Sequence, residues 1–309
     1  MFELPEQLIF MKNDKAIQKH SNEPMNGKLC IISGATSGVG YEAVKSLAAG
    51  GANIVMVVRN ENKAKTVKNE IEGKYPVVVD YFIADFSDLK QVEKAAMDIL
   101  EKYSKIDILI NSAGIHSTKR KLNKDGIEMV FCVNHLAPFL LTKLLLGSLL
   151  ESSPSRIIQV NSEGHRFNGL NVDDINWEKR FYTGLRSYGA SKTAQLLTVW
   201  QLSKGLEGTG VTINAMHPGA VKTNIGNDNG RLYRWFLHNV TWHFLKDPKI
   251  SGDALYYLAS ASELSNVSGE FFNLTTLEKP AEHALDKENQ KKIWNLSLKM
   301  TSLEKKDDE

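Results

Sequence analysis

A phenol and an ammonium group stand four residues apart in the run Tyr188-Gly189-Ala190-Ser191-Lys192. On a helix, positions i and i+4 share a face, so this spacing predicts the Lys192 charge close beneath the Tyr188 hydroxyl. A free tyrosine titrates at about 10, and a fixed cation nearby favours the phenolate, which would bring the group toward proton transfer at neutral pH. A Tyr and a Lys at this interval also occur on surface helices with no chemistry to do. The pair therefore needs a setting.

The elements that would supply one begin at Leu29-Cys30-Ile31-Ile32, a short apolar run of the kind expected for a buried parallel strand. It ends in the turn Ser33 to Gly40, with Gly34, Gly38 and Gly40 spaced Gly-x-x-x-Gly-x-Gly, and a helical pattern follows through Val44 and Leu47. Glycines let backbone N–H groups approach a pyrophosphate, and a helix N-terminus offers unpaired donors at the positive end of its dipole. The next strand, Asn53 to Val58, ends in Arg59-Asn60, where many dinucleotide-binding folds carry an acid for the ribose 2′-hydroxyl. A cation there accommodates a 2′-phosphate, so Arg59 argues for NADP(H) over NAD(H).

Strands and helices then alternate: a helix near 61–74, a strand at 77–84 closed by Asp85, a helix near 89–100 and a strand at 106–110 ending in Asn111-Ser112-Ala113-Gly114. This alternation predicts one doubly wound α/β domain of the Rossmann kind, with a mostly parallel, seven-stranded sheet and helices on both faces. A long apolar helix is expected over 128–150, buried in the core or in a homodimer interface, with Asn134-His135 as its polar anomaly. The fifth strand, Arg156 to Val160, runs into Asn161-Ser162-Glu163-Gly164-His165, which places a serine at the carboxyl end of a central strand. Ser162 and His165 invite a hydrolase reading, but no Gly-x-Ser-x-Gly elbow surrounds the serine. The sixth strand ends in His217-Pro218-Gly219. The aromatic stretch 231–245 reads as a lid over an apolar substrate, a peripheral membrane contact or a core helix.

Composition narrows the class. A net charge of +2 with both signs interspersed gives no field for nucleic acid. The two cysteines, Cys30 and Cys132, form no disulfide framework, and no metal-ligand spacing occurs. The apolar knot Leu8 to Met11 is too short for a signal core or a membrane span, so the cytoplasm is the expected compartment. Three regions are expected: an extension at 1–26, a catalytic domain at 27–275, and a C-terminal helix with a charged tail at 276–309.

Together these motifs resemble the short-chain dehydrogenase/reductase family. The turn Ser33, Gly34, Ser37, Gly38, Val39, Gly40 is similar to its T-G-x-x-x-G-x-G, and Asn111 to Gly114 to its N-N-A-G. Asn134, Ser162, Tyr188 and Lys192 fall where its catalytic tetrad belongs. Arg59-Asn60 with Lys63-Ala64, Ser162-x-x-His165, and Ser262-Glu263-Leu264 with Val267-Ser268-Gly269 look most like the retinol dehydrogenase and WW-domain oxidoreductase branch. The resemblance implies hydride transfer between nicotinamide and a carbonyl or alcohol, with Tyr188 as proton donor and Ser162 as stabiliser of the oxygen. Lys192 would lower the Tyr188 pKa and hold the nicotinamide ribose, and Asn134 would anchor a water leading from Lys192. It also implies that the Ser33–Gly40 turn holds the pyrophosphate and that Arg59 and Asn60 face the 2′-phosphate. Asp85 and Phe86 would flank adenine, Asn111, Ala113 and Gly114 would line the ribose side, and Pro218, Gly219 and Thr223 would embrace the nicotinamide end. A dinucleotide-sensing protein without turnover and a C=C reductase of the same fold are the alternatives.

Overall fold

The structure is a computed structural model that describes residues 16–221 and 246–304. Thr223, the stretch 231–245, the knot at 8–11 and the charged tail beyond 304 lie outside the described residues. The strands are β1 (Leu29–Ser33), β2 (Asn53–Val58), β3 (Val79–Ile83), β4 (Ile108–Asn111), β5 (Ser155–Val160), β6 (Val211–His217), β7 (Phe271–Asn273) and β8 (Thr276–Leu277). They form one sheet in the order β3-β2-β1-β4-β5-β6-β7-β8, parallel except for β8. The sequence predicts seven strands. The eighth is a two-residue return paired antiparallel to β7 around Leu274, which takes φ +54°, and two residues are too few for a hydrophobic period to mark.

The helices are α1 (Gly38–Ala49), α2 (Glu61–Lys74), α3 (Leu89–Lys102), α4 (Ala137–Glu151), α5 (Gly184–Gly205), α6 (Lys249–Ser260) and α7 (Lys287–Met300). Side chains alternate across a strand, so Ile32 and Met56 pack with Val44, Leu47 and Leu255 of α1 and α6, while Ile31 and Val55 pack with Val92, Ile99 and Leu141 of α3 and α4. Both faces are therefore covered, which is why the strands read as continuous apolar runs rather than alternating ones.

The span 128–151 departs from one continuous α-helix. Met129–Phe131 leads into a π turn, Cys132–Leu136, before α4 begins. Pro138 contributes to the break, because it has no N–H to give the Asn134 carbonyl four residues earlier. Met129–Glu151 is long and apolar enough to cross a membrane, but 78% of an apolar 18-residue window within it is buried inside the fold, with Leu141, Leu145 and Leu149 against the sheet. It is a core element here. The described part of the N-terminal extension runs along the far edge of the sheet, where Lys19 N donates to Thr275 Oγ1 (2.8 Å).

Candidate active site

β1 and β4 lie side by side at the point where strand order reverses, and the space beyond their carboxyl ends is the usual ligand crevice of such sheets. Ser33 Oγ accepts from both Ser112 N and Ala113 N (3.1 Å each), tying the two strand ends together. Gly34 has φ +68°, and a Cβ on it would lie 2.8 Å from Ala113 Cα; a Cβ on Gly40 would lie 2.5 Å from Gly34 O. The turn thus demands glycine for backbone-to-backbone contact. Ser37 caps α1 without a side-chain hydrogen bond, and no acid occupies the first turn. The amides around Gly38, Val39 and Gly40 face the crevice end with no side-chain acceptor, and this cradle fits a dinucleotide phosphate.

The remaining cofactor candidates separate by what their side chains do. Arg59 is exposed just beyond β2, whereas Asn60 is the N-cap of α2, its Oδ1 accepting from Lys63 N at 2.9 Å. Asp85 Oδ1 accepts from Ser87 N (2.9 Å) and Ser87 Oγ (2.8 Å), and Phe86 beside it is buried. Asn111 turns its side chain to α4, where Nδ2 donates to Thr142 Oγ1 at 2.8 Å. Gly114 backs onto Asn134, whose Oδ1 would lie 3.4 Å from an added Cβ. Gly219 takes φ +81°, and the Pro218 carbonyl accepts from Ser251 Oγ at 2.6 Å, which fixes the turn after β6 to α6.

Asn134, Ser162, Tyr188 and Lys192 come together beside this cradle. Asn134 sits in the π turn; its Oδ1 accepts from Ile115 N (2.8 Å), and its Nδ2 donates to Ile115 O (3.0 Å) and Ser191 Oγ (3.0 Å). Ser162 caps a short 3-10 turn, with Oγ accepting from Gly164 N (3.0 Å), and it lies beside the Tyr188 ring, both of them within contact range of a Cβ placed on Gly164. Helix α5 begins at Gly184, capped by Thr183, so Tyr188 and Lys192 occupy its second and third turns rather than its start. Lys192 Nζ donates to Val160 O and to Gln195 Oε1 (3.0 Å each) and lies 5.6 Å from the Tyr188 ring centroid.

Burial governs the charges. It raises the Tyr188 pKa above the ordinary phenol value, and the Ser162 hydroxyl works against it. The sequence predicts the opposite direction, through a Lys192 cation; here burial also pulls Lys192 down, to about 7, which weakens the field the phenol was expected to feel. Tyr188 is consequently a protonated phenol at neutral pH.

The hydrolase reading fails on geometry. His165 Nδ1 contacts the Ser162 carbonyl (2.8 Å) and Nε2 accepts from Ala281 N (3.0 Å), so the ring serves two backbone groups and does not act on Ser162 Oγ. Three residues that sequence reasoning did not single out shape the site. Gly164 lets the Tyr188 ring lie on the backbone. Asn161 donates Nδ2 to Lys192 O (2.9 Å). Gln195 joins Lys192 to the Asn134 carbonyl. The i, i+3 interval from Lys192 to Gln195 was a readable signal for the last. A cavity of about 650 Å³ lies at the opposite, amino-terminal end of the sheet, between Lys28, Asn53 and Tyr103, away from all these groups.

The fold and this cluster define a dinucleotide-dependent dehydrogenase, and the sequence comparisons agree. Residues 28–232 match the short chain dehydrogenase family, and the chain belongs to it. Within it the chain falls on the retinol dehydrogenase branch. It is 36% identical to human retinol dehydrogenase 13 over 292 residues, covering 92% of this chain and 87% of that protein. It is 35% identical to human retinol dehydrogenase 14 over 295 residues, covering 90% and 88%. Among solved structures, an uncharacterised protein from Mycobacterium paratuberculosis superposes with a TM-score of 0.73 at 27% identity, covering 91% of this chain and 95% of that one. A short-chain dehydrogenase from Shigella flexneri complexed with NADP shares the fold at a TM-score of 0.67 and 22% identity, covering 82% and 99%. The protein is an NAD(P)-dependent oxidoreductase acting on alcohol or carbonyl groups of small molecules.

Proposed function

We propose that the chain is an NADP(H)-preferring reductase or dehydrogenase of an apolar carbonyl or alcohol, with Tyr188 as its acid–base residue. The observation that carries this reading is the Tyr188 phenol itself, seated beside Ser162 over Gly164 and on one helix face with Lys192. When bound, the nicotinamide cofactor supplies the hydride. Tyr188 donates its phenolic proton as negative charge develops on the carbonyl oxygen, and its raised pKa keeps that proton available at neutral pH. The Ser162 hydroxyl, oriented by the amide of Gly164, stabilises the same oxygen. Ser37, Gly38, Val39 and Gly40 would hold the pyrophosphate, and Arg59 the 2′-phosphate. Apolar character in the substrate is supported by the exposed Phe167, Phe181 and Leu185 on the segment between Ser162 and Tyr188, and by the alcohol for which the relatives are named.

The test is Tyr188→Phe, with turnover followed as NADPH oxidation over aldehydes and ketones graded by size and polarity. A loss of about 10²- to 10⁴-fold is expected. Undiminished turnover on any substrate of the parent protein overturns the assignment.

A further inference from the structure

The geometry points to Gln195 as a positioning residue that clamps the Lys192 ammonium to the main chain of the Asn134 π turn. This deepens the reading of Tyr188 and Lys192 given above and rests on it. Gln195 is 2% exposed, in the middle of α5. Its Oε1 accepts from Lys192 Nζ (3.0 Å) and from Asn161 Nδ2 (3.0 Å), and its Nε2 donates to the Asn134 carbonyl. That carbonyl can take the bond because Pro138, four residues on, has no N–H to offer it.

The clamp fixes direction. An ammonium has three N–H groups; Val160 O and Gln195 Oε1 take two of them, so the third is confined to what remains. The Gln195 carboxamide links the Asn134 carbonyl directly to the ammonium. Water can accept a proton and pass one on, whereas an amide at neutral pH keeps its own. The link therefore aims Lys192 without conducting protons from it.

The clamp also bears on charge. An amide oxygen pointed at the ammonium favours its charged form, against the burial that pulls Lys192 down to about 7. The other titratable groups around it are Tyr188 on its own helix, with His116 across the Tyr188 ring, His217 on β6 with Arg166, Glu278 and Glu163 behind it, Glu163 raised by burial to about 7 and so titrating in the same range, and His135 in the π turn. Burial holds His116, His135 and His217 below the ordinary imidazole range, so they are neutral near pH 7 and leave the field at Lys192 unchanged there.

The test uses the full chain without ligand, with lysine isotope-enriched at Cε and the Lys192 signal assigned by its disappearance in Lys192→Met. The Lys192 signal is followed through a pH titration in the parent, Gln195→Leu and Gln195→Glu. Gln195→Leu, close in volume but without polar atoms, is expected to move the midpoint down by about one pH unit or more, and Gln195→Glu to move it up. The same variants are assayed for NADPH oxidation on the best substrate of the Tyr188 screen. A kcat loss of about 10- to 100-fold is expected for Gln195→Leu, the size of a lost hydrogen bond to a charged group, with partial recovery in Gln195→Glu. An unmoved Lys192 midpoint in both variants reduces Gln195 to core packing and overturns the proposal, whatever happens to kcat. Should Gln195→Leu not fold, the direction of the shift in Gln195→Glu decides. An inactive Tyr188→Phe together with an unmoved midpoint sinks this inference alone, whereas an active Tyr188→Phe sinks the catalytic reading.

Discussion

A methyl group on residue 164 would stand 2.6 Å from Tyr188 Cε1 and 3.2 Å from Ser162 Oγ. Real Cβ atoms essentially never come that close, so Gly164→Ala must shift the phenol relative to Ser162. Reactions of positioned groups lose about 10²-fold for a displacement near 1 Å. Gly164→Ala is expected to lower kcat by about that factor while cofactor affinity, measured by fluorescence titration, stays near the parent value. A kcat within about twofold of the parent would show that the ring's seat is not critical. The same crowding explains why Tyr188 is less acidic than its spacing from Lys192 suggested. Residue types and intervals reveal which groups can meet, but burial sets the sign of the pKa shift, and burial belongs to the folded chain.

Among the elements, those with strong local patterns were readable. The apolar run into Ser33, the glycine turn and α1 follow one another as their composition predicts, and so does the alternation that builds the sheet. The π turn was not readable as such, because apolar residues flank Asn134-His135 on both sides as they would in one continuous helix, and only the Asn134–Pro138 interval marked it. The onset of α5 was not readable either, since Gly184, a poor helix former, stands directly after the Thr183 cap. The turn between β2 and α2 divides its labour: Asn60 spends its side chain on the helix cap, and Arg59 projects outward beside it. Arg59→Asp is accordingly expected to weaken NADPH binding at least tenfold, about 1.4 kcal/mol, and NADH binding far less. Equal affinity of the parent protein for both dinucleotides, by titration, would sink the preference for NADPH.

For the molecule as a whole, buried histidines dominate the response to acid. Burial pulls His135 and His165 to about 3 and His217 to about 4, against 6.5 in the unfolded chain. Below 6.5 the unfolded chain binds more protons at these sites, so stability falls as pH falls. Glu163, buried and raised to about 7 from 4.5, binds its proton better when folded and offsets one histidine between those values. From these groups the net slope is about 3 kcal/mol per pH unit between 6.5 and 4.5, about 4 only from there to the His217 value near 4, and about 3 again below it. Against a typical total of about 5–15 kcal/mol, two to three pH units of acid suffice to unfold the chain. A melting temperature that falls steeply below about pH 5 is expected from thermal scans, and one flat from pH 7 to 4 would contradict it. A last consequence concerns the Ser33 hydroxyl that ties the ends of β1 and β4 together. The floor on which a dinucleotide would rest is already stitched by the sheet, so its conformational entropy is lost when the chain folds and not when the ligand arrives. Binding then spends little free energy on ordering the protein, and more of the contact energy remains as affinity.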